Sequence, residues 1–143
     1  MSLGRVMPLL LLSGTVAVAG QEVPDTIAKA QNAVRTILQR SELEEVAHQL
    51  RADIALGTHV PKPGQADELK TYLREAFVTQ RDRDVTLDHW EHALVLERTG
   101  PRQMTLLSLG ANGERDACAQ KDVESATDDD LCVDVELPAS GVR

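Results

Sequence analysis

Between Asp25 and Leu56 the chain carries neither glycine nor proline, and its apolar residues recur at helical spacing. Ile27, Ala30, Val34 and Ile37 form one set, and Leu43, Val46, Leu50 and Ile54 form a second. Such a stretch commits the first part of the fold to helix. The phase slips around Arg40-Ser41, where Ser41-x-x-Glu44 has the form of a capping box, so the segment reads as one long helix with a rotated face or as two helices. Pro24-Asp25 supplies the start signal and Gly57 the stop. Pro61, Pro63 and Gly64 then make a connecting loop. A shorter helix is predicted over Ala66–Thr79, with Leu69, Leu73 and Phe77 on one face.

Past Arg81-Asp82-Arg83-Asp84 the period becomes strand-like. His92–Glu97 and Gln103–Leu109 are apolar runs joined by Thr99-Gly100-Pro101-Arg102, a hairpin signature, and Leu131–Leu137 alternates with period two. Helices followed by strands imply an α+β fold, with the long helix and a shorter one packed on a three-stranded antiparallel sheet. A length of 143 residues allows one ordinary domain. With Tyr72, Phe77 and Trp90 as the three aromatic residues, its core must be aliphatic.

Ahead of the first helix, Arg5 precedes an apolar run from Val6 to Ala19 that closes on Ala17-Val18-Ala19. This is the pattern of a secretory signal peptide over residues 1–19, cleaved after Ala19, with a single globular domain over 20–143. The run is shorter than the ~20 residues a membrane span needs, so no stable membrane span is expected after signal cleavage. Export places the protein in the periplasm or outside the cell, where an even pair of cysteines oxidises. Cys118 and Cys132 read as one disulfide, worth roughly 3 kcal/mol in the loop-entropy model. The formal net charge of −8 repels phosphate backbones and anionic headgroups, which argues against nucleic acid as a partner.

Much of that charge lies late in the chain. From Glu114 to Glu136 there are nine acids against two bases, including Asp128-Asp129-Asp130. Adjacent carboxylates repel unless solvated or neutralised, so this segment is either a solvent-facing insertion or a hard-cation site. Asn112-Gly113 and the three aspartates could supply oxygens and a tight wrap, although the spacing is not that of an EF-hand. His89 and His92, beside Asp88 and Glu91, invite comparison with a metal-dependent hydrolase. Residues three apart on an extended chain point to opposite faces, no third ligand is evident, and no nucleophile-base arrangement accompanies them. His48 and His59 carry no readable chemistry.

Taken in order, several of these residues resemble a known family. The long helix ends in Gly57-Thr58-His59-Val60-Pro61, and the short helix carries Leu69 and Tyr72-Leu73. Asp88-His89-Trp90-Glu91-His92-Ala93 leads into the hairpin, Ser108-Leu109-Gly110-Ala111-Asn112-Gly113 opens the acidic segment, and Asp129-Asp130-Leu131 closes it. From about Ala28 to Leu131 the chain resembles the globular domain of the major pseudopilin of the bacterial type II secretion system. Its Ser-Leu-Gly-x-x-Gly and Asp-x-Trp motifs are the more specific matches. The resemblance implies a structural calcium ion in the loop, held by the Leu109 carbonyl, Asn112 (where the family usually has Asp), Asp128 and Asp130. The stretch between the motifs is longer than usual in the family and contains both cysteines.

The front of the chain departs from the family. Pseudopilins have a short basic leader, a Gly cleavage site, and a long apolar helix with Glu five residues past the cut; here the fifth residue after Gly4 is Leu9. The expectation is therefore an exported, non-enzymatic relative whose partners are proteins, type II secretion components among them. A filament subunit with a misassigned N-terminus and a small His/Asp metal-dependent hydrolase are the alternatives.

Overall fold

A computed structural model of the protein describes residues 22–77, 83–118 and 129–138. The signal segment predicted over 1–19 and the implied ligand Asp128 lie outside the described residues. The chain divides into two compact units, residues 1–33 and 34–143. Of the first, the described part is the opening of helix α1, whose side chains from Pro24 to Ala33 are exposed. The rest of the fold belongs to the second.

Helix α1 runs unbroken over Glu22–Leu56. It is one helix, and Ser41 sits exposed inside it instead of capping a second. Pro24 falls in the first turn, where its missing N–H costs no helical bond. Gly57, with φ +69°, closes the other end. There the Gly57 N–H donates to the Ile54 carbonyl at 3.1 Å and the Thr58 N–H to the Asp53 carbonyl at 2.9 Å, the paired bonds of a Schellman motif. The two apolar sets on α1 meet different fates. Leu43, Val46, Ala47 and Leu50 are buried, whereas Ile27, Val34 and Ile37 are 51, 55 and 69% exposed. The phase slip near Arg40 is the point where the stripe turns from solvent to the core.

Helix α2, Ala66–Ala76, is amphipathic and buries Leu69 and Leu73. Asp67 and Glu68 in its first turn and Arg74 in its last complement the helix dipole. Phe77 is its C-cap, so it stops short of the predicted Thr79, which lies outside the described residues. The sheet comprises β1, Val95–Gly100, β2, Gln103–Ser108, and β3, Leu131–Glu136, antiparallel in the order β1-β2-β3. β1 begins three residues later than the apolar run at His92 suggests. His92–Leu94 instead closes a turn, in which the Asp88 N–H donates to the His92 carbonyl and the Leu94 N–H to that of Thr86.

One face of the sheet presents the register partners Leu96, Leu106 and Val133 and, beside them, Met104 and Val135. Together with the α1 and α2 leucines, Leu94 and Leu131, these form an aliphatic core, with Tyr72, Phe77 and Trp90 half-buried against it. All three aromatics thus sit at its rim. β2, central and paired on both edges, is also buried on its other side, where Thr105 and Leu107 are 3 and 0% exposed. Cys132 pairs in register with Leu107, which places the disulfide strand position and this second face together. Among the described residues no helix is long and apolar enough to cross a membrane.

Candidate functional site

The segments leaving β2 and entering β3 come together with the turn before β1, and the turn is organised by one carboxylate. Asp88 is 1% exposed, yet both its oxygens are satisfied. Oδ1 accepts the N–H groups of Trp90 at 2.9 Å and His92 at 2.8 Å, and Oδ2 accepts the Ser108 hydroxyl at 2.7 Å. Asp88 therefore fastens its own turn to the end of β2. His92 extends the link: its Nδ1 lies 2.9 Å from the Gly110 carbonyl, which can only accept, so this nitrogen carries the proton. The far side of the ring lies against Gly113, where a Cβ would come within 2.7 Å of Nε2.

Gly110 is required twice over. Its φ is +62°, and a Cβ there would stand 2.5 Å from the Asp129 carbonyl oxygen. The beginning and end of the acidic segment thus touch through a side chain that is absent. Asp129 Oδ2 also accepts the Asn112 N–H at 3.0 Å. Within the loop, Asn112 Oδ1 accepts the Glu114 N–H at 2.7 Å and its Nδ2 donates to Asp116 Oδ2 at 2.5 Å. Cys118 bridges with Asp130 and is disulfide-bonded to Cys132, so the loop is closed covalently as well.

Asp130 is 0% exposed. Burial pushes its carboxyl above the ordinary range, opposed by the Asp116 N–H and the Arg115 guanidinium, both 2.9 Å from Oδ2. Arg115 is itself held in its charged form first of all by Glu97 on β1, whose carboxylate lies 3.2 Å from Nη2. Its Nη1 also donates to the Asp116 carbonyl. Asp129 Oδ1 and Asp130 Oδ1 are buried without a hydrogen-bond partner.

The calcium ligands implied by the resemblance can now be placed. Leu109 follows directly after β2 and is half-buried, Asn112 is turned into the loop with both amide atoms engaged, and Asp130 has one oxygen occupied by N–H donors and the other unpartnered. Ca²⁺ requires six to eight oxygens. Within the described part of the implied set, a guanidinium stands at Asp130 Oδ2 and the Asn112 amide is taken up by Asp116 and Glu114, while Asp129 Oδ1 and Asp130 Oδ1 lie buried without a partner. Among the described residues no group of three His, Cys, Asp or Glu side chains could hold a metal ion.

His89 and His92, adjacent in the hydrolase alternative, have different neighbours. His92 faces Gly110, whereas His89 Nε2 lies 3.3 Å from Glu42 Oε1 on α1. Around Glu42 the helix meets the turn through polar groups: Arg83 pairs with Glu42 and donates to the carbonyls of Leu87 and Asp88, and fully buried Gln39 accepts the His89 N–H at 2.8 Å. Gln39, Glu42 and Arg83 gave no sequence signal as a group, since the bonds that join the helix to the turn, Glu42 to Arg83 and Gln39 to His89, span 41 and 50 positions. Arg115 could have been noticed as one of two bases in the acidic segment.

No protein-family model, curated protein or solved structure matches the chain.

Proposed function

We propose that the protein is an exported, non-enzymatic interaction module of pseudopilin-like design, with a disulfide-closed loop beside its sheet and type II secretion components among its protein partners. One observation carries this reading. The three motifs behind the resemblance, Asp88-x-Trp90, Ser108-Leu109-Gly110-x-x-Gly113 and Asp129-Asp130-Leu131, converge at one end of the sheet and depend on one another there. Ser108 bonds Asp88, Gly110 receives His92 on one side and Asp129 on the other, and Gly113 faces His92. Residues that form a single contact set have a shared architectural reason for occurring together. The α+β order of long helix, short helix and hairpin supports the same reading, as does the Cys118–Cys132 disulfide, which suits an oxidising compartment.

Intact-mass measurement of the protein from the cell that makes it tests export directly. A mature chain beginning at Gly20, with its cysteines oxidised, is expected. A native mass that requires a differently placed N-terminus would identify a filament subunit instead, and retention of Met1 would sink the export reading. The interaction role is read separately, by placing a photo-cross-linking residue at exposed Ala111. A defined adduct with a different exported or envelope protein is expected, and adducts confined to the protein itself would overturn the role.

A further inference from the structure

We infer that the resident cation of the acidic loop is the Arg115 guanidinium, which neutralises Asp130 and Glu97 together and makes the order of the loop independent of divalent metal. Asp130, fully buried, cannot be left as an isolated anion, because a carboxylate out of water needs a counter-charge and hydrogen bonds. It receives both from its own loop. The Asp116 N–H and Arg115 Nη1 each stand 2.9 Å from Oδ2. The other edge of the same guanidinium faces Glu97, with Nη2 at 3.2 Å and Nε at 3.4 Å from its carboxylate.

The planar fork of arginine, with five donors in fixed directions, can serve two carboxylates and a carbonyl at once, a task a lysine ammonium performs less well. Its position also has mechanical meaning. Glu97 belongs to β1 and Asp130 stands immediately before β3, so one side chain ties the two edge strands across β2. Asp130 Oδ2 is engaged by two donors, Asn112 Oδ1 by Glu114 and Asp129 Oδ2 by Asn112, which leaves Asp129 Oδ1 and Asp130 Oδ1 buried without a partner and makes added calcium the direct challenge to the assignment. This assignment stands on the ion pairs alone and is independent of the interaction role proposed above.

Thermal unfolding of the full, oxidised protein in chelator and in millimolar calcium provides the test. Wild type is expected to melt at the same temperature in both. R115Q, which keeps much of the bulk and loses the charge, is expected to melt roughly 5–10 °C lower in chelator. Combined with D130N, the same substitution is expected to cost clearly less, since the charge it serves has gone. A rise in the wild-type melting temperature on adding calcium would overturn the assignment, and so would an R115Q protein that melts with wild type. Should R115Q fail to fold, the calcium arm on the wild type still decides.

Discussion

Asp88 illustrates why a carboxylate beside two histidines need not be a reactive one. Its oxygens are held by two backbone N–H groups and a serine hydroxyl, all directed at a side chain with no exposed surface to speak of. Asp88→Ala strands those three donors in a buried turn, each unmet group costing about 1–3 kcal/mol. The expected result is a loss of at least about 3 kcal/mol in urea unfolding, without a matching change on His89→Ala, whose ring nitrogen Nε2 faces Glu42 instead. The Asp-x-Trp pattern was legible in the sequence as a motif, but its use was not. Ser108 lies twenty positions away, and only closure of the hairpin brings its hydroxyl to Asp88. Arg115 stands out in the sequence as a base among acids, but its pairing was hidden for a similar reason, because Glu97 comes from another strand.

At the level of elements, α1 was the most readable part and also the source of an ambiguity. Periodicity identified both apolar sets, yet it cannot say which of two equally spaced stripes finds a partner. The structure assigns the core to the second set, with Leu50 at 0% exposure and Ile37 at 69%. Leu50→Ala should therefore cost about 2–5 kcal/mol, whereas Ile37→Ala should stay within roughly 0.5 kcal/mol of wild type. Equal losses in denaturant titrations would contradict the assignment of the core to one stripe. The strands were legible in number and pairing, with boundaries displaced where a turn intervenes. His92-Ala93-Leu94 is apolar enough to pass for strand, but the Asp88 carboxylate and the carbonyl of Thr86 claim the backbone N–H groups of His92 and Leu94 before the ladder begins.

For the molecule as a whole, acid sensitivity follows from the carboxylates that folding favours in charged form. Asp53 at the end of α1 is held below the ordinary range chiefly by the Tyr72 hydroxyl, which donates from α2 at 2.6 Å. A depressed folded value contributes stability above the unfolded value and loses it as pH falls through the folded one. Tyr72→Phe is expected to cost about 1 kcal/mol at pH 7, and the difference from wild type should shrink as pH drops below about 4. Melting curves across that range check it; a difference that stays constant into strong acid would assign the effect to packing. The α+β order, the sheet and the cysteine pair were all readable from residue pattern and spacing, since each rests on local periodicity or simple parity. What the acidic segment does with its charge was not, because the pairing of Arg115 with Asp130 inside it and with Glu97 on β1 depends on how the chain closes. The disulfide has one more consequence, in the chain's connectivity. Cys118 and Cys132 make the residues between them a covalent ring. A protease that cuts after Lys121 would open the ring without dividing the molecule. β3 would remain tied to the rest of the protein, and the nick would show as two fragments only after reduction.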